Sequence, residues 1–227
     1  MSKDSYKIDM CNGPVLPKVI AFSLPLMLSS CLQLLFNAAD VIVVGRFAGS
    51  TSLAAVGSTT ELLSLLTTLF IGFSIGANVN VARTLGNQDD QGTKDGVHTA
   101  ISVSILSGSA MILLGFLFGR PMLQWMGTPA DVIDKASLYL MIIFIGMPSN
   151  MAYNFGSAIL RAMGDTKRPL YFLSAAGVLN VVLNLIFVIV LHMDVAGVAL
   201  ATILSETLSA VLILNCLCRT DGPCHLN

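Results

Sequence analysis

Three carboxylates sit where water should be scarce. Asp40, Glu61 and Glu206 lie inside the apolar runs NAADVIVV, TTELLSLL and ILSETLSAV, and no lysine or arginine shares those runs. An ionised group at mid-bilayer costs at least ~2.5–3.5 kcal/mol on insertion scales, which makes each one a functional-site hypothesis by default. Without a basic partner, the charge must be met by a proton, a bound cation or water. Amides and hydroxyls accompany the acids. Gln33, Asn37 and Asp40 recur at spacings of four and three and so form one polar stripe, and Asn180 and Asn184 share a helix face at i and i+4.

These residues need six membrane-spanning helices to position them. The chain has 227 residues, of which 55% are hydrophobic and 11% charged, with a mean hydropathy of +0.80. A soluble domain carries about 25% charged residues, so the natural solvent here is lipid. A net charge of −1 argues against a nucleic-acid partner. A span needs roughly 20 mostly apolar residues. Six stretches qualify, at about 19–44, 53–81, 97–119, 138–160, 170–191 and 195–217, flanked by segments 1–18 and 218–227. The expected fold class is therefore all-α, a polytopic membrane protein built as a six-helix bundle. The first apolar run is too long for a signal-peptide core and reads as a retained span.

Basic residues set the expected orientation. With a cytosolic N-terminus, the inner segments hold Lys3, Lys7, Lys18, Arg83, Lys94, Arg161, Lys167, Arg168 and Arg219. The outer ones hold only Arg46, Arg120 and Lys135. Both termini then face the cytosol. At about 1.5 Å per residue, Asp40 lies roughly 9 Å below the outer edge, Asn180 and Asn184 about 12–18 Å, and Thr202 about 12 Å. Tyr139 is shallower. A cluster of Asp40, Asn180, Asn184 and Thr202 capped by Tyr139 is geometrically possible. The alternative is that the amides and Thr202 only join helices, at about 0.6–2 kcal/mol per bond. Glu206 falls near mid-membrane and Glu61 about 15 Å from the outer edge. Each would either line a cavity and attract a cation or be a protonated acid bonded to a neighbouring helix.

Other features are plainer. Pro25 and Pro148 fall inside spans and remove a backbone bond each, as a fixed kink or a hinge. Gly72/Gly76, Gly115/Gly119 and Gly197/Ala201 have the small-residue spacing that lets helices approach closely. Cys216, Cys218 and Cys224 cluster beside His225, but no standard metal-ligand spacing is met there, nor with Cys11 and Cys31. No phosphate loop, zinc-protease motif or nucleophile elbow appears, so neither an enzyme nor a cofactor is expected.

The chain resembles the multidrug and toxic compound extrusion family over about residues 15–215. The resemblance rests on FSLPLMLSS, NAADVIVVGRFAGSTSLAAVG, FIGFSIGANVNVARTLGNQD, SAILRAMGDTKRPLY, VLNVVLNLIF and VAGVALATILSE, in that order. It implies an antiporter of the cytoplasmic (inner) membrane that exports small organic cations against inward H+ or Na+, and no metal beyond that Na+. It also implies a twelve-helix fold of two six-helix lobes with alternating access between them. The positions matching the family's cation site are Asp40, Asn180, Asn184 and Thr202, with Tyr139 nearby, while Gln33, Asn37, Glu61 and Glu206 are expected on the substrate path and Pro25 as a hinge. Many members have aspartate where this chain has Asn184, and glutamine is more usual where it has Glu206. Six spans make this one N-terminal lobe, to be completed by the missing C-terminal lobe or by a second copy. Two rival readings are a lipid-linked oligosaccharide flippase of the same superfamily, and a non-transporting half-bundle that acts as an interaction protein.

Overall fold

The computed structural model describes residues 14–220 together with 222, 224 and 225; Cys11, Lys3, Lys7 and most of segment 1–18 lie outside these. Six helices follow one another. They are α1 (Val15–Val43), α2 (Ser50–Gly86), α3 (Asp90–Trp125), α4 (Ile133–Ala162), α5 (Lys167–Asn184) and α6 (Asp194–Cys218). No strand occurs among the described residues. All six are long and apolar enough to cross a membrane, so the protein is a multi-pass membrane protein. Several run past the expected spans. At 37 residues, α2 is about 55 Å long and must project beyond a hydrocarbon core of about 30 Å.

The connections are short because local chemistry stops each helix sharply. After α3 and α4 the chain turns through Gly127 and Gly164, with φ of 74° and 80°, a conformation that costs glycine nothing. At the second turn the Asp165 N–H bonds the Leu160 carbonyl at 2.9 Å and the Gly164 N–H bonds that of Arg161 at 2.9 Å. This paired closure satisfies carbonyls that the helix end would leave orphaned. Asp89 caps α3 by accepting from the Gly92 N–H at 2.9 Å. A π-helical turn extends α1 over Val44–Ala48, and another extends α5 over Leu185–Val190. The chain then reverses through His192, at φ 51°, in the tight turn expected between spans five and six.

Helix α4 is the centre of the bundle. It packs against α2, α3 and α6; α5 packs on α6, and α1 on α5. Half of the apolar window of α4 is buried, against 6% for α1. Small residues make the contacts close. Gly108, Gly115 and Gly119 of α3 face Pro148, Phe144 and Leu140 of the antiparallel α4 so tightly that no β-carbon fits at the first two. Gly146 and Gly156 of α4 meet Ile203 and Ile213 of α6, each pair 57 residues apart, so α4 and α6 run parallel in fixed register. Gly177 of α5 receives Phe36 of α1. At Gly72 and Gly76 no such approach is made among the described residues: both face open space on a side of α2 that none of these helices covers. Pro25 is buried within an unbroken α1, where its carbonyl accepts from the Ser29 hydroxyl at 2.9 Å.

Candidate functional site

Four helices bring their polar faces to one cavity of about 260 Å³. Helix α1 contributes the Gln33–Asn37–Asp40 stripe, α5 contributes Asn180, α6 contributes Thr202 and Glu206, and α4 contributes Asn150 and Asn154. The spacing on α4, α5 and α6 is i, i+4, which stacks two side chains on one face of each helix. The two π-helical turns begin just beyond this level, directly after Asn184 and four residues after Asp40. Single π turns are frequent at functional sites.

The hydrogen bonds form two short chains. In the first, the Asn184 amide donates to Asp40 Oδ1 and to Asn180 Oδ1 at 3.2 Å. Asn180 in turn donates to Thr202 Oγ1 at 3.5 Å, and that hydroxyl donates to the Val198 carbonyl at 3.0 Å. In the second, Asn154 donates to Asn150 Oδ1 at 2.9 Å and Asn150 donates to Glu206 Oε1 at 2.8 Å. Each acid is thus held through one oxygen by an amide N–H. Among the described residues the other oxygen of each has no protein partner.

One atom of the cluster is conspicuously unsatisfied. Asn184 is fully buried, and its Oδ1 has no hydrogen-bond donor. A buried acceptor left alone costs about 1–3 kcal/mol. Asp40 Oδ1 and Asn180 Oδ1 accept from the same amide, and Thr202 Oγ1 accepts from Asn180, so the cluster gathers hard oxygen ligands. Such a set fits a proton or a small hard cation far better than a thiophilic metal.

The other sequence expectations divide. Tyr139 is buried in α4 and close enough to Asp40 and Glu206 to feel their charges, yet its hydroxyl bonds no member of the cluster among the described residues. Gln33 and Asn37 line the cavity, as does Glu206. Glu61 does not. It is exposed on α2 and borders a separate hollow with Thr68, Met122 and Trp125. The reason is rotational: α2 turns Thr59 and Leu62 into the bundle, which leaves Glu61 outside. Asn150 and Asn154 were not singled out from sequence, although their four-residue spacing is the pattern that drew attention to Asn180 and Asn184. The sequence also gives no sign of an ion pair between α4 and α6, in which Lys135 Nζ reaches Asp194 Oδ2 at 2.5 Å and Ser52 Oγ at 2.9 Å. The cysteines differ in setting: Cys216 accepts from Arg168 at 3.4 Å, Cys218 is exposed and Cys224 buried. Among the described residues no three potential metal ligands gather.

Comparison with known proteins agrees with this architecture. The MatE family model matches residues 25–186. The "Probable multidrug resistance protein YpnP" of Bacillus subtilis is 33% identical over 202 residues, covering 87% of this chain and 44% of its own length. YoeA, a second "Probable multidrug resistance protein" of B. subtilis, is 31% identical over 197 residues, covering 85% of this chain and 42% of its own. Among solved structures, an outward-facing multidrug resistance MATE family transporter superposes with a TM-score of 0.86 at 27% identity, over 92% of this chain and 47% of that one. The chain therefore spans about half the length of the relatives it matches.

Proposed function

The chain belongs to the MatE family, and from that premise we propose that it forms one six-helix lobe of a multidrug exporter that exchanges organic cations for inward H+ or Na+. The family consists of transport proteins rather than enzymes. The lobe works in the cytoplasmic (inner) membrane with both termini in the cytosol, the orientation that the lysine and arginine distribution favours. A second lobe, either a C-terminal bundle or another copy of this chain, closes the pathway that α1 and α2 leave open.

The observation that carries this reading is the pair of acids opening on one cavity, Asp40 held by Asn184 and Glu206 held by Asn150. In the outward-facing state Asp40, Asn180, Asn184 and Thr202 take up the coupling ion. That ion neutralises Asp40 and supplies what the buried Asn184 oxygen lacks. Cancelling this charge weakens the field that holds a cationic substrate near Glu206, Gln33 and Asn37, and the substrate leaves. In the inward-facing state the ion departs, the negative field returns, and a new cation is drawn in. A ligand shifts such a two-state equilibrium only by its differential affinity for the two states. A site whose charge changes with ion occupancy supplies that difference. Pro25, within the N-terminal half of α1, is the proposed point of bending between the states.

Ethidium efflux from drug-sensitive cells tests the proposal, with the chain expressed alone and with a C-terminal lobe restored. Asp40→Asn should abolish gradient-driven efflux in whichever assembly is active. Ion-coupled efflux that survives this change sinks the assignment. Activity of the chain alone identifies a homodimer as the working unit, and activity only with the restored lobe identifies the two-lobe protein.

A further inference from the structure

Arg161 is a cation that the exchange scheme does not use. Arg161 stands next to the C-terminal residue of α4, at the end of the bundle that also carries Arg83, Lys94 and Lys167. Arg120, Lys135 and Arg168 each pair with an aspartate. Arg161 is half-buried and has neither ion pair nor hydrogen bond among the described residues. Helical side chains lean toward the N-terminus of their helix, so it points back along α4 into the bilayer, on the side of Tyr153. There it lines a cleft of about 520 Å³ between α1, α2 and α4.

Most other polar groups of this cleft are occupied, the Gln33 amide being the exception among the described residues. The hydroxyls of Ser29, Ser30 and Ser74 bond carbonyls of their own helices at 2.9, 3.2 and 2.8 Å. The Asn78 amide donates to the Ala158 carbonyl at 2.6 Å. The guanidinium is thus the charged donor left for an occupant. The remaining walls are largely apolar, from Phe22 and Leu26 of α1 and Ile71 and Ile75 of α2. A planar fork of N–H donors matches phosphate oxygens two at a time. Apolar walls beside it would be wasted on a free anion but suit a hydrocarbon chain. Basic pockets between helices at this membrane face bind lipid headgroups by the same chemistry.

We propose that this cleft is a lipid site, in which Arg161 binds the phosphate of an anionic inner-leaflet phospholipid while an acyl chain lies between α1 and α2. The site goes beyond the exchange reaction and does not depend on it. Native mass spectrometry of the detergent-solubilised full chain tests it, with dioleoylphosphatidylglycerol compared against dioleoylglycerol, which has the same tails and no phosphate. The wild type should retain the phospholipid at roughly tenfold lower concentration. Arg161→Gln should erase that preference. Arg83→Gln, which removes an exposed charge at the same end but outside the cleft, should leave it intact. If the glutamine variant does not fold, Arg161→Lys carries the test, with a several-fold weaker preference expected because the charge remains and the fork is lost. The proposal is overturned by an undiminished preference in the position-161 variants or an equal loss in Arg83→Gln. Complete displacement of the lipid by millimolar inorganic phosphate also overturns it, since the apolar walls would then contribute nothing.

Discussion

Asn150 donates to Glu206 at 2.8 Å across the interface of α4 and α6, at the level where the hydroxyls of Ser149 and Thr207 meet at 3.1 Å. The bond is a product of the parallel register that sets Gly146 against Ile203 and Gly156 against Ile213. It aims an acid into the cavity while fixing it through only one oxygen. Glu206→Gln should preserve this bond, because the glutamine carbonyl still accepts from Asn150. We expect an unchanged melting temperature in detergent and roughly tenfold weaker binding of a monovalent cationic dye, equivalent to about 1.4 kcal/mol. Dye titration by fluorescence polarisation checks the second part. Equal affinity in the variant would remove Glu206 from the substrate path.

Asp40 and Asn184 should separate stability from coupling. Asp40→Asn keeps an oxygen for the Asn184 amide, so it should cost little stability while removing the exchangeable charge. Asn184→Ala leaves Asp40 and Asn180 without their donor in a buried setting and should cost about 1–3 kcal/mol. Thermal melts in parallel with ion-driven uptake into proteoliposomes measure both. Identical stability losses in the two variants would show that the cluster is only an interhelical clamp.

Glu61 is the counter-case. It lies on the uncovered side of α2, away from the cavity, so Glu61→Gln should leave both cation binding and efflux within twofold of wild type, a difference of about 0.4 kcal/mol. A larger loss in the dye assay would mean that the hollow beside Met122 and Trp125 belongs to the pathway.

The contrast between Asp40 and Glu61 shows what could be read from the sequence. Depth is legible, because a helix rises by about 1.5 Å per residue from a recognisable edge. That arithmetic gives Asp40, Asn180, Asn184 and Thr202 overlapping depths, and the structure joins them by hydrogen bonds. Rotation about the helix axis is not legible when a helix is apolar on every side, as α2 is, since no hydrophobic stripe marks the inner face. The sequence therefore leaves open which side of α2 Glu61 faces. Neighbour relations are hidden too: the pairing of Asn150 with Glu206 depends on α4 and α6 being adjacent and parallel, which no single-helix pattern reveals. Family motifs supplied the twelve-helix context that residue spacing alone did not.

The ion pair between Lys135 and Asp194 should be weak. Lys135 and Asp194 retain 40% and 33% of their side-chain exposure, so water screens them, and exposed pairs usually contribute about 0–1 kcal/mol. A double-mutant cycle with Lys135→Ala and Asp194→Ala should give a coupling below about 1 kcal/mol that shrinks further in high salt. A coupling several times larger, insensitive to salt, would mean that the pair is shielded in the assembled transporter.

Glycine positions give the sharpest packing test, because identical substitutions should have opposite signs. At Gly146 an added β-carbon would strike the Ile203 side chain, whose β-branch leaves it few rotamers to escape into. Gly146→Ala should therefore force α4 and α6 apart, costing about 1–3 kcal/mol by overpacking and pulling Asn150 away from Glu206. At Gly72 the same methyl enters open space, and replacing glycine inside a helix gains about 0.5–1 kcal/mol. Gly72→Ala should accordingly raise the melting temperature in detergent while Gly146→Ala lowers it. If Gly72→Ala instead impairs efflux without loss of stability, the bare face of α2 around Gly72 and Gly76 is where the second lobe packs in the working transporter, and the small residues there serve a contact made only in the assembly.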